Sequence, residues 1–167
     1  VPVLLYHHIA PPDEEKSPSI TVDVNTFDQK MSYLAQRGYR AISAEELANA
    51  LISHQGILGK PIVVTLDDGY DDAYTHAFPV AKKYNIVLNL MIPSGLVGNS
   101  GYLTWDNLKE MVSSGLVFAY NHSWSHYALA RGDDQKIQFE VLTSKNQLEQ
   151  QLGKTVRVIA YPYGSYD

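Results

Sequence analysis

Short apolar runs rich in β-branched residues alternate with helix-like segments along the whole of this chain. Residues 3–7, 39–42, 62–66, 86–92, 116–120 and 156–161 read as six strands. Between them, Phe27, Met31 and Leu34 recur at helical spacing, with Gly38 as a stop. Ser43 is placed to cap a second helix, and Glu46 stands three residues on, as in a capping box. Further helices are expected over 71–84, from Thr104 through Met111, and over 133–152; a polar, proline-bearing loop is expected through about Ser19. Repeated strand–helix units predict parallel strands flanked by helices, an α/β chain. Six strands are few for a closed barrel, so a distorted or incomplete (β/α) barrel is expected. No internal repeat or linker divides residues 1–167, which read as one domain.

The residues that could do chemistry fall at the carboxyl ends of these strands. His7 ends the first, Asp67 and Asp68 follow the third, His122 follows the fifth, and Pro162-Tyr163-Gly164 follows the sixth. Barrels and open α/β folds place their active sites there. Asp68, His122 and His126 form a candidate set for one metal ion. The two histidines are four apart, and on one helical turn such residues share a face. Two imidazoles and a carboxylate leave coordination positions open for water and substrate. Nitrogen and oxygen ligands without sulfur suit Zn, Fe, Co, Ni or Mn, with zinc the leading choice. The bland alternative is a pair of histidines decorating a helix surface.

Asp67 lies beside the ligand carboxylate, where a base is needed. Neighbouring strand residues face opposite ways, but a turn at Gly69 can bring both carboxylates to one pocket. A metal-bound water is acidic enough for a carboxylate to deprotonate. The competing role for Asp67 and Asp68 is to cap the next helix, which Asp71 and Asp72 already suit. Protonating a departing amine calls for an acid, and histidine is the natural one near neutral pH. His7 and His8 are both candidates, and strand alternation sends only one inward; Tyr6 and His8 share one face. His54 and His76 read as bystanders. Trp105 and Trp124 lie near strand ends, although core packing is the commoner fate of an aromatic.

Composition narrows the classes. The chain has 167 residues, enough for a core of its own, and no cysteine, which rules out a disulfide framework, a thiolate nucleophile and a sulfur-rich zinc site. Its net charge of −5 argues against nucleic acid as a partner. The apolar runs are too short to span a bilayer. The chain starts at Val1 rather than methionine, from which an upstream signal or anchor segment is expected.

Thr65-Leu66-Asp67-Asp68-Gly69, His122-Ser123-Trp124-Ser125-His126 and Tyr161-Pro162-Tyr163-Gly164 resemble the first three motifs of the polysaccharide deacetylases (NodB-homology, carbohydrate esterase family 4). The resemblance implies a distorted (β/α) barrel of the NodB-homology type. It implies Asp67 as catalytic base, Asp68, His122 and His126 as ligands of one divalent metal ion, and the Tyr163 backbone N–H as an oxyanion donor. Leu4-Leu5-Tyr6-His7-His8 is similar to the opening of a circularly permuted branch that acts on poly-β-1,6-N-acetylglucosamine, which assigns the general acid to His7. The implied activity is removal of N-acetyl groups from an N-acetylglucosamine-containing polysaccharide outside the cell or in the bacterial envelope, for which Trp105 and Trp124 are candidate platforms for sugar rings. The chain departs from the pattern in three places. Ala160 stands where the family usually has an arginine that orients the base. Tyr120 replaces a common glycine and is expected to narrow the pocket. The chain also stops soon after Gly164, short of the later strands of such enzymes, which reads as a C-terminal truncation.

Two other classes compete. A non-catalytic carbohydrate-binding domain could keep the metal site structurally, although it would have no use for Asp67. A non-haem iron oxygenase also uses two histidines and a carboxylate, but the strand–helix alternation disfavours it.

Overall fold

The computed structural model describes residues 1–14 and 17–166; Glu15 and Lys16 of the predicted loop, and Asp167, lie outside them. In chain order the elements are β1 (Val3–Tyr6), β2 (His8–Ile9), β3 (Thr21–Val22), α1 (Val24–Gln36), β4 (Tyr39–Ala41), α2 (Ala44–Ser53), β5 (Lys60–Leu66), α3 (Phe78–Tyr84), β6 (Leu88–Ile92), α4 (Trp105–Ser113), β7 (Val117–Asn121) and α5 (Asp134–Leu152). The α/β expectation holds. Every strand pairing is parallel, with β5 at the centre of the main sheet.

The register shows why β5 carries the site. β1 covers one of its edges, from Val3 opposite Val63 to Tyr6 opposite Leu66. β4 pairs with the first half of β5 and β6 with the last two residues. The Ile42 N–H donates to the Ile62 carbonyl, whereas the Val63 N–H donates to Pro2. Successive residues of a strand point their polar groups to alternate edges, so β4 and β6 share the edge opposite β1. Asn89 closes the fork between them. Its amide donates to the Ile42 and Val64 carbonyls at 3.1 Å each and accepts from the Ala44 N–H at 2.7 Å. A fully buried amide in an otherwise apolar strand is tolerable only with its partners supplied in this way.

Residues 62–66 and the whole of β6 are buried, as parallel strands covered on both faces should be. Phe27, Met31 and Leu34 of α1, Leu108 and Met111 of α4, and Leu148 of α5 complete the core. Asp23, Ser43, Thr104 and Asp133 each accept a backbone N–H at a helix start. The Ser43 half of the predicted capping box forms, but the Glu46 carboxylate turns to Arg40 instead, at 2.7 Å. The helix predicted over 71–84 begins as a π-helical turn, Ala73–Ala77, before α3.

The predicted sixth strand shrinks to one bridge, Ile159 opposite Asn121. The Glu149 carboxylate takes the Val156 N–H, and pairing starts only where the Asn121 N–H meets Val158 and the Ala160 N–H meets Asn121. β7 ends at Asn121, leaving nothing further to pair. Among the described residues the sheet stays open, in keeping with an incomplete barrel. No helix among them is long and apolar enough to cross a membrane.

Candidate metal centre

Asp67, the residue just after β5, still keeps the ladder, its N–H donating to the Tyr6 carbonyl at 2.9 Å. The chain then turns through two left-handed residues, Asp68 at φ 72° and Gly69 at φ 69°. The positive φ at Gly69 favours glycine there, and a Cβ would sit a tight 3.2 Å from the Ile92 side chain. Asp67 and Asp68 are each 8% exposed and each has one buried carboxylate oxygen, Oδ1, without a hydrogen-bond partner.

The His122-Ser123-Trp124-Ser125-His126 segment is a loop, not the helical turn that the four-residue spacing suggested. Ser123 and His126 both sit at positive φ, 62° and 59°. Side chains hold this shape. Asn121 accepts the Ser123 N–H at 2.8 Å, and the Ser123 hydroxyl accepts the Tyr127 N–H at 2.9 Å. Glu140, fully buried on α5, accepts the Trp124 and Ser125 N–H groups through one carboxylate oxygen, at 2.9 and 2.8 Å. Its other oxygen accepts the Ser125 hydroxyl and the Lys136 ammonium, each at 2.7 Å. These bonds hold the Glu140 carboxyl below its ordinary pKa against the opposing pull of burial.

The two turns bring the predicted ligands together. Asp68 Oδ1 lies 3.0 Å from His126 Nε2 and 3.3 Å from His122 Nε2. One donor atom from each residue fits within a 4.8 Å span, and two of the three residues are buried. Three electron-pair donors converging on one point repel unless a cation or a proton lies among them, and the Asp68 oxygen makes no hydrogen bond. His122 also donates from Nδ1 to the Ala160 carbonyl at 2.9 Å, which leaves Nε2 as its free donor. The residues present therefore fit a divalent ion. Burial alone would raise the Asp68 pKa, but the two imidazoles drive it well below the ordinary carboxylate range. Asp67 moves the opposite way. Burial pushes its pKa up and Asp68 adds to that, against the pull of His122, His7 and His126.

His7 and His8 part company. His7 is half-buried, near enough for its charge to act on Asp67. His8 is buried, stacks on the Tyr70 ring at 3.6 Å between centroids and places Nδ1 2.5 Å from Asp72 Oδ2. It lines a separate cavity of about 500 Å³ with Asp13, Glu14 and Asp71. Asp72 thus stands at the N-cap position expected, but its side chain makes no cap and partners His8 in the interior instead. Tyr70 and Tyr102 stack across the Asp67–Gly69 turn, and burial and the Asp68 charge raise both their pKa values.

Tyr163 lies at φ 59°, with its ring edge-on to His126 at 4.6 Å and 74% exposed. A cleft of about 640 Å³ runs beside it, lined by Ser125, His126, Tyr127, Arg131 and Ser165. The two tryptophans do not line that cleft. Trp105 packs on the core, and Trp124 stands edge-on to Phe139 at 5.5 Å. Tyr120 does not narrow the site, since it is buried with its hydroxyl accepting the Glu45 N–H at the start of α2. His54 ends α2, and His76 meets Glu14 at 3.2 Å, both away from the centre. Sequence reasoning missed Glu140, Asn121, Tyr70 and Tyr102. For Glu140 a signal existed: it shares the 140-144-148 stripe of α5 that faces the core, an odd place for a carboxylate.

Comparison with known proteins supports the same region. A family model described as polysaccharide deacetylase matches residues 56–167. The Streptococcus pyogenes deacetylase PplD in complex with acetate superposes with a TM-score of 0.91 at 30% identity, covering 100% of this chain and 75% of that one. IcaB from Ammonifex degensii gives 0.81 at 31% identity, covering 97% and 73%. The poly-β-1,6-N-acetyl-D-glucosamine N-deacetylase of Staphylococcus aureus is 25% identical over 158 residues, 86% of this chain and 54% of that protein. The chain spans between 19% and 58% of the length of the first curated relatives it matches.

Proposed function

The chain belongs to the polysaccharide deacetylase family, and on that footing we propose that it is a metal-dependent hydrolase removing N-acetyl groups from an N-acetylglucosamine-containing polysaccharide and releasing acetate. The observation that carries the reading is the pairing of two buried carboxylates with different surroundings. Asp68 faces two imidazole nitrogens, while Asp67 beside it keeps an unpaired oxygen.

In this reading Asp68, His122 and His126 hold one divalent ion, zinc in first place, with Fe, Co, Ni or Mn as alternatives. When bound, such an ion polarises the acetyl carbonyl and acidifies a water molecule. Asp67 takes a proton from the attacking water on its carboxylate. Burial raises its pKa, which makes its carboxylate a stronger base than an exposed aspartate. The water oxygen bonds to the acetyl carbon and the Tyr163 backbone N–H donates to the oxygen that gains charge. As the C–N bond breaks, His7 in its imidazolium form passes a proton to the departing nitrogen. Acetate and a free glucosamine unit leave. The position of Tyr163 against His126 and the separation of His7 from the His8–Asp72 pair support these two assignments.

The cleft beside His126 leaves room for a polymer, and a polymer of this kind would put the work outside the cell or in its envelope. The Staphylococcus aureus relative, a poly-β-1,6-N-acetyl-D-glucosamine N-deacetylase, makes the β-1,6-linked polymer the first substrate to try. Acetate should be assayed on β-1,6- and β-1,4-linked N-acetylglucosamine oligomers with protein stripped by a chelator and then reloaded with single metals. Release that stops on stripping and returns on reloading is expected. Oligomer binding without acetate under every metal would overturn the enzymatic reading in favour of a carbohydrate-binding domain.

A further inference from the structure

We infer that Glu140 is a positioning residue for the metal centre: through the loop it caps, it sets the spacing of the His122 and His126 nitrogens and so the affinity of the site. The inference rests on the metal reading above and adds a residue remote from the three motifs.

The chain between the two ligands is three residues long, and two of them give their N–H groups to a single Glu140 oxygen. The Ser125 hydroxyl goes to the other oxygen. A carboxylate that gathers successive N–H groups acts as a mould for the backbone between them, much as a capping side chain shapes a helix start. The mould is needed because the loop is not self-supporting. Ser123 and His126, at either side of the capped pair, both occupy the left-handed region that residues with a Cβ avoid. Released from Glu140, the segment would no longer be held at its left-handed positions, and the two rings would change their mutual angle from the 54° seen here.

The arrangement is also shielded. Glu140 is completely buried, and the loop it holds is fixed from another side by the Trp124 carbonyl, which accepts the Gly95 N–H at 2.8 Å. Lys136, one turn before Glu140 on α5, is the only cation among the described residues bonded to that carboxylate. The carboxylate therefore answers to the loop and to one partner on its own helix.

The test is Co(II) binding, which reports affinity and ligand geometry by visible absorption without any turnover. Wild type, Glu140→Gln and Glu140→Ala are compared, each first shown to be folded by circular dichroism. The Gln side chain keeps an oxygen for the two N–H groups but cannot accept from the Ser125 hydroxyl or Lys136. We expect Co(II) Kd to rise about 3-fold in Glu140→Gln and about 10–100-fold in Glu140→Ala, with the absorption band altered in the second. A role confined to general stability would lower the melting temperature and leave both the band and the Kd of the folded variants unchanged. That result overturns the inference. If Glu140→Ala does not fold, Glu140→Gln against wild type decides it, with an unchanged Kd and band counting against. Failure of wild type itself to bind Co(II) would instead sink the metal reading.

Discussion

His122 Nδ1 lies 2.9 Å from the main-chain carbonyl of Ala160. A carbonyl can only accept, so Nδ1 carries the hydrogen and Nε2 is the atom free to bind an ion. The position where related motifs usually place an arginine thus contributes through its backbone. Its side chain should matter little. Ala160→Ser is expected to bind metal within about twofold of wild type, whereas Ala160→Pro, which removes the N–H given to Asn121, should weaken binding about tenfold or more. Titration with a chromophoric metal competitor checks both. Equal loss in the two variants would contradict the backbone role.

Asp67 gives the metal-free protein a definite pH dependence. Burial raises its folded pKa above the unfolded value of about 3.9. A raised carboxyl contributes fully below the unfolded pKa, and that contribution is lost as pH climbs through the folded value. Asp67→Asn has no such loss. Asp68 runs in the opposite sense, losing its contribution as pH falls through its depressed folded value, but it is common to both proteins and largely cancels. Urea midpoints of the metal-free pair should diverge in favour of Asp67→Asn as pH rises above about 4. A difference independent of pH would contradict the burial argument.

Gly95 supports the histidine loop from beneath. A Cβ there would fall 2.5 Å from the Trp124 ring and 2.7 Å from the Trp124 carbonyl, to which Gly95 is itself bonded. Neither atom can withdraw without moving the loop. Gly95→Ala should cost about 1–3 kcal/mol of stability, measured by urea unfolding, and should lower metal affinity with it. An unchanged midpoint would show that the contact is slack.

The fold class and the three residues that converge at the centre were legible because each rests on local pattern. Buried β-branched runs mark β5 and β6, and paired carboxylates followed by a glycine mark the turn after Leu66. What misled was geometry decided from far away. His122 and His126 look like one helical turn because the spacing is four; a carboxylate 15 residues downstream of Ser125 holds them in a loop instead. The sixth strand was read from residues 156–161, but the Glu149 side chain takes the Val156 N–H before any strand can. Asp72 reads as a helix cap until His8, 64 residues away in the chain, is found against it. Trp105 and Trp124 read as sugar platforms only while their packing partners are unknown.

Acetate release by Asp67→Asn, loaded with one equivalent of metal and compared with wild type on an N-acetylglucosamine oligomer, tests the central claim most directly. The account predicts metal affinity within a few-fold of wild type and release slowed by about 10²–10⁴-fold, since the ligands remain and the base is gone. A metal-loaded Asp67→Asn that releases acetate at the wild-type rate would contradict it.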